Sequence, residues 1–183
     1  MYTLRLSRSL ISPFTAADEA DEAGEVVPTT SLGDWYVREA TIGARHLAVC
    51  VSDRSLLTIA FPCPEPSDLP QHLPAALVPV LKALDIDDGR VTAELEAMAD
   101  GQIALARDRG MSRVLAARVS LLHDLIGDAP PGGVDARRLH AALAELPLRN
   151  PRETCAARTR RLLERDVAHE APGPHATSQR RRR

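Results

Sequence analysis

Aromatic residues, lysine and paired cysteines are all scarce in this chain of 183 residues. Aromatic side chains make up 3% of the sequence, and the last of them is Phe61. A nucleic-acid contact in the second half of the chain would therefore lack rings on which bases could stack. Lys82 is the one lysine among 23 basic residues, a bias that codon usage in a GC-rich genome explains. The core must be built from leucine, valine, isoleucine and alanine.

The reactive residue types form no recognisable metal or cofactor signature. The three cysteines are far apart in the chain and include no C-x-x-C pair, which argues against a disulfide framework and against a zinc site. Cys50 lies in an apolar stretch and is predicted to be buried, whereas Cys63, between two prolines, is predicted to be more exposed. The six histidines form no H-x-x-x-H or H-E-x-x-H pattern. Since no Walker loop, G-x-G-x-x-G or G-x-S-x-G occurs either, we expect no metal and no cofactor.

Long apolar runs are also missing. No window approaches the roughly 18 uninterrupted apolar residues of a membrane span, and residues 1–8 alternate polar and apolar side chains instead of forming the apolar run of a signal peptide. Together with the unpaired cysteines, this pattern favours the cytoplasm as the location.

Five segments have the composition and spacing of strands. The best of them are two apolar runs, 47–51 and 56–61, which are joined by the polar residues 52–55 and read as a buried hairpin. Residues 2–6 and 34–41 alternate polar and apolar side chains, so the polar face of the first strand is expected to lie in water. Residues 102–107 form a further short strand.

Helical spacing follows the hairpin. Apolar stripes predict helices over 73–84 and 87–98, the second capped by Asp87 or Asp88, and a largely buried helix over 111–126. Asp135 is expected to cap another helix that ends before Pro147. Asn150, with Pro at the first helical position and Glu153 three residues on, predicts the start of an arginine-rich helix.

These elements predict an α+β fold. We expect an antiparallel sheet of four to five strands, covered on one side by about four helices. The predicted organisation is a core domain over 1–148, an arginine-rich helix over 149–169 and a disordered basic tail over 170–183.

Three segments of the chain resemble a family of small bacterial α+β proteins known only as a domain of unknown function. They are Asp34-Trp35, the run Ser-Leu-Leu-Thr-Ile-Ala-Phe-Pro at 55–62, and the helix start Met-Ser-Arg-Val-Leu-Ala-Ala-Arg-Val at 111–119. The family's helix start is of the type Asn-Arg-Ser-Val-Leu-Gly-Ser-Met-Asn. This chain exchanges the order of Ser and Arg at 112–113 and replaces the later polar positions by Ala117 and Val119. The resemblance covers about residues 1–147 and implies the fold, but no activity.

Charge is divided unevenly along the chain. Residues 1–150 contain 14 basic and 21 acidic side chains, whereas residues 151–183 contain 9 basic and 4 acidic ones. Arginines can neutralise phosphates and give sequence-independent, salt-sensitive binding. The leading hypothesis is therefore a non-enzymatic interaction or regulatory module whose basic C-terminal segment contacts an acidic partner such as nucleic acid. The candidate residues are Arg158, Arg160, Arg161, Arg165, Arg180, Arg181, Arg182 and Arg183.

Two alternatives stay open. A small ribonuclease-like enzyme could use His46 as a general base, with Arg45 and Arg113 stabilising the charge on phosphate. An accessory protein with protein partners only could instead use the acidic run at 18–25, which contains Asp18, Glu19, Asp21, Glu22 and Glu25.

Overall fold

The computed structural model describes residues 1–11, 28–127, 129, 135–148 and 153–169. The acidic run at 18–25, the expected cap at Asn150 and the basic tail at 170–183 lie outside the described residues.

Five strands and six α-helices form within the described residues. The strands are β1 (Tyr2–Leu6), β2 (Trp35–Ile42), β3 (Arg45–Ser52), β4 (Thr58–Pro62) and β5 (Gly101–Leu105). The helices are α1 (Arg8–Ile11), α2 (Leu69–Ala83), α3 (Asp88–Ala97), α4 (Arg109–Ile126), α5 (Ala136–Ala144) and α6 (Cys155–His169).

The strands form one mixed sheet in the order β4-β3-β2-β1-β5. The α+β class is confirmed, but the expectation of an antiparallel sheet is wrong for half of the pairings. β1 runs parallel to both β2 and β5, whereas β2, β3 and β4 pair antiparallel. Because a long connection precedes both β2 and β5, the chain can cross back to the starting edge of the sheet and enter it in the same direction as β1.

Helices pack on both faces of the sheet, so the expectation of cover on one side is also wrong. Face A, which carries Trp35, Val37 and Cys50, packs against α2, α3 and α6. Face B, which carries Tyr36, Val49 and Val51, packs against α4 and α5. The sequence contained the reason, because residues 47–51 are apolar at every position and all five are buried. A strand without alternation is typical of a sheet that is covered on both faces.

Helix boundaries follow local capping chemistry. The Asp87 side chain accepts a hydrogen bond from Gly89 N, and that of Asp135 accepts one from Arg137 N, which confirms both as N-caps. α2 begins at Leu69, earlier than the expected residue 73, because Pro70 occupies the first turn, where its missing N–H costs no hydrogen bond.

α6 contributes residues to the hydrophobic core. Ala156, Thr159 and Leu163 are at most 3% exposed, and the first and last of them belong to the apolar cluster on face A. Burial of this stripe anchors the arginine-rich helix to α3 and α5.

Candidate functional site

Parallel pairing places residues of β1, β2 and β5 side by side at the point where β1 and β5 end. Leu6 of β1 pairs with Val37 of β2 on one side and with Leu105 of β5 on the other. The next residues along the three chains are Ser7, Arg38 and Ala106, which therefore lie side by side on face B. In open α/β sheets, ligands bind in the crevice outside the carboxyl ends of parallel strands, and this position is the equivalent one here.

A cavity of about 270 Å³ opens at this position. Its walls come from the end of β1, the start of α1, the middle of β2 and the first turns of α4. The lining residues are Ser7, Arg8, Ser9, Arg38, Ala106, Ser112 and Leu115. We refer to it as the β1 cavity.

Two guanidinium groups carry the charge of the β1 cavity. Arg8 and Arg38 are both exposed, and neither has an ion-pair partner in the part of the chain that the structure describes. Arginine presents several N–H donors in a planar fork that matches the oxygens of a carboxylate or phosphate. Within the described part of the chain, the cavity therefore offers two cationic forks without an ion-pair partner to an anionic ligand.

The amino terminus of α4 lies beside the cavity, but two of its first-turn backbone donors are already used. The Asp108 side chain accepts hydrogen bonds from Gly110 N at 2.6 Å and from Met111 N at 3.2 Å. The Ser112 hydroxyl donates to the Asp108 carbonyl oxygen at 2.8 Å. Because the cap satisfies these groups internally, an anion in the cavity would depend on the arginine side chains and not on the helix terminus.

A partly buried ion pair supports the strand that ends at the cavity. Arg5 Nη2 lies 2.7 Å from Asp34 Oδ2, and Asp34 Oδ1 accepts a hydrogen bond from Thr3 N at 2.9 Å. The Asp34 side chain is 4% exposed. The Arg5 guanidinium also lies 6.0 Å from the centre of the Tyr36 ring. Asp34 thus ties the backbone of Thr3 and the side chain of Arg5 to the residue that precedes β2. The prediction that the polar face of β1 lies in water is wrong for Thr3, which is 6% exposed.

The surroundings of the Asp53 carboxyl group, next to Asp34, oppose its charge. Burial, together with the negative charge of Asp34, raises the pKa of Asp53 to about 6, while Arg54 offsets part of the effect. Its Oδ1 atom has no hydrogen-bond partner among the described residues. Gly33 has a φ of +77°, and a Cβ at this position would lie 2.1 Å from Asp53 Oδ1. Only glycine therefore fits at position 33.

The three residues of the ribonuclease-like hypothesis are not brought together. Arg45 donates hydrogen bonds to the carbonyl oxygens of Ile126 and Ala129 at the end of α4. His46, the next residue of β3, points to the opposite face of the sheet, where its Nε2 lies 3.4 Å from Glu39. Arg113 is exposed near the start of α4, about 20 Å along the helix from Ile126. No common phosphate could contact all three.

The arginines of α6 divide into two groups. Arg160 Nε donates to the Leu84 carbonyl oxygen at 2.9 Å, and Arg161 pairs with Glu153. Arg158 is half-buried and Arg165 is exposed, and the described residues include no ion-pair partner for either. Of the four predicted contact residues on α6, Arg160 and Arg161 therefore already have partners within the protein. Residues 180–183 lie outside the described part of the chain.

In the described part of the chain, the cysteines and the potential metal ligands form no second site. Cys50 is fully buried, and burial raises its pKa, whereas Cys63 is partly exposed. Among the described residues, no three His, Cys, Asp or Glu side chains are grouped so as to hold a metal ion. None of the described helices combines the length and the apolar character needed to span a bilayer.

Sequence reasoning missed the β1 cavity because its residues come from four separate segments. Ser7, Arg8 and Ser9 directly follow a strand, and a polar Ser-Arg-Ser run at a strand end is a signal that could have been used. Arg38 gave none, because an arginine in an alternating strand usually only faces solvent.

Comparison with known proteins gives a family but no activity. A family model for a domain of unknown function, DUF6933, matches residues 3–156. The match agrees with the resemblance to an uncharacterised family that the sequence indicated. No curated protein and no solved structure matches the chain.

Proposed function

We propose that this chain, which belongs to the DUF6933 family, is a non-enzymatic cytoplasmic module that binds an anionic group in the β1 cavity. The observation that carries the proposal is the pair of guanidinium groups, Arg8 and Arg38, at a cavity beside the carboxyl ends of two parallel strands. Arginine at such a position is well suited to bind the oxygens of a carboxylate or phosphate.

Binding accounts for the cavity better than catalysis does. Its seven lining residues are arginine, serine, alanine and leucine. Neither an imidazole nor a carboxyl nor a thiol is among them, so the cavity wall supplies no group that exchanges a proton near neutral pH.

The test is calorimetric titration of the full chain with inorganic phosphate at constant ionic strength. Two charge-assisted hydrogen bonds contribute roughly 2 kcal/mol each, so we expect one saturable site with a dissociation constant of about 1 mM. The same titration with sodium chloride serves as the control. Heats that rise linearly with phosphate and never saturate would contradict the proposal.

A second candidate function concerns the basic C-terminal segment, which we propose contacts nucleic acid. Arg158 and Arg165 support it, because both lack an ion pair in the described part of the chain. Arg180–Arg183 add four further positive charges to the same C-terminal segment of the sequence.

Replacing Arg180–Arg183 together by glutamine tests this second candidate. If these residues contact phosphates, the variant should bind a random RNA more weakly, and the slope of log affinity against log salt should fall by roughly 3, since each neutralised phosphate of a single strand contributes about 0.7. Arg160→Gln is a single-charge control: that side chain is bound to the Leu84 carbonyl oxygen, so the slope should not change. An unchanged slope, or no RNA binding by the unaltered chain, would remove the candidate.

A further inference from the structure

The hydrogen-bonding groups of the β1 cavity are arranged unevenly, and the exception is Ser112. A hydroxyl group has one donor and two acceptor positions. The Ser112 hydrogen is directed to the Asp108 carbonyl oxygen at 2.8 Å. Only the lone pairs of Ser112 Oγ are left, so this side chain can only accept a hydrogen bond from a ligand.

The opposite wall can donate. Ser7 Oγ and Ser9 Oγ lie 3.0 Å apart, so the contact between them uses one of their two hydrogens and leaves the other to donate. Arg8 and Arg38 have donors and no acceptor. β1, α1 and β2 therefore supply donors and positive charge, while α4 supplies an acceptor.

Resting on the proposed function, we infer that the ligand is a small phosphate monoester with a hydroxyl group on its carbon chain. A phosphate monoester carries a charge of about −1.5 to −2 near pH 7, which matches two guanidinium groups better than the single charge of a carboxylate does. The hydroxyl group on its carbon chain would donate a hydrogen bond to Ser112 Oγ. Ala106 and Leu115 provide an apolar surface for the carbons between the two groups.

The size of the cavity limits the carbon chain. Drug-sized ligands occupy pockets of roughly 300 to 1,000 Å³, and the β1 cavity, at about 270 Å³, is smaller. A phosphorylated polyol of a few carbons fits these limits, whereas a dinucleotide does not.

Two ligands of equal chain length test the inference. Glycerol 3-phosphate and n-propyl phosphate each have three carbons and one phosphate, but only the first has hydroxyl groups. One added neutral hydrogen bond is worth roughly a fivefold gain in affinity. We expect glycerol 3-phosphate to bind about fivefold more tightly than propyl phosphate, and we expect Ser112→Ala to remove this difference. Ser120→Ala, an exposed serine of the same helix, should preserve the difference.

The outcomes separate this inference from the proposed function. If both esters bind equally well, or if Ser112→Ala preserves the preference, the inference is overturned while phosphate binding stands. If neither ester nor inorganic phosphate binds, the proposed function itself fails.

Discussion

The Arg38→Glu variant is expected to bind inorganic phosphate at least about tenfold more weakly than the unaltered chain. The change removes one charge-assisted hydrogen bond, worth roughly 1.5 to 3 kcal/mol, and places a negative charge at the wall of the β1 cavity. Each 1.4 kcal/mol corresponds to about a factor of ten. Calorimetric titration at constant ionic strength measures the effect.

Arg113→Glu is the matched control for this variant. Arg113 is exposed on α4 and is not among the residues that line the cavity. Its replacement by glutamate changes the net charge by the same amount as Arg38→Glu does. Because the Arg113 side chain does not line the cavity, its loss removes no hydrogen bond to the bound anion, and we expect the affinity for phosphate to fall much less than in Arg38→Glu. Equal losses in the two variants would mean that the net charge, and not the cavity, attracts the anion.

The Asp34→Ala variant is expected to lose about 3 kcal/mol of unfolding free energy. Asp34 is 3% exposed and accepts hydrogen bonds from both Thr3 N and Arg5 Nε. Removing Asp34 leaves a partly buried guanidinium and a buried backbone N–H without their acceptor, and losses of roughly 1 to 3 kcal/mol for each group give the expected sum. Urea denaturation at pH 7.5 measures the loss. A loss below about 1 kcal/mol would show that this ion pair behaves like an exposed one.

Asp53, which neighbours Asp34, provides a control in which removal of the carboxyl charge should increase the unfolding free energy. The pKa of Asp53 is raised to about 6 in the folded protein from an ordinary value near 3.8 in the unfolded chain. The folded state therefore binds the proton more tightly, so stability falls as the pH rises from about 4 to 6, and the full penalty is present above that range. Asp53→Asn should raise stability at pH 7.5 by about 1 kcal/mol, a value reduced for the partial exposure of this side chain. The gain should shrink as the pH is lowered toward 4, and a loss at pH 7.5 would contradict the assignment.

The elements of this fold could be predicted from the sequence because local pattern determines them. The alternating residues of β1 and β2, the apolar run of β3 and the aspartate caps of α3 and α5 each depend on neighbours within a few positions. The direction of pairing could not be predicted in this way. Alternation is the same whether β1 runs parallel or antiparallel to β2, and the outcome depends on how the long connection between them crosses the sheet.

The candidate site was hidden for the same reason. Ser7 meets Arg38 only through the register of β1 on β2, and both meet Ser112 only because α4 starts where β5 ends. Conversely, His46 and Arg45 are neighbours in sequence, and alternation along β3 separates them to opposite faces. The arginines of α6 could be counted from the sequence, but the partners of Arg160 and Arg161 within the protein could not be predicted. Leu84 is distant from Arg160 in the chain, and nothing in the sequence distinguishes Glu153 from the other acidic residues as the partner of Arg161.

The most direct test of the account is a phosphate titration of the uniformly ¹⁵N-labelled chain followed by two-dimensional NMR of the backbone amides. Occupation of the β1 cavity predicts saturable shift changes that are largest at residues 7–9, at Arg38 and at residues 112–115, all with one dissociation constant. If the largest changes fall on α6, or if no amide saturates as phosphate increases, the cavity is not the anion site and the account is wrong.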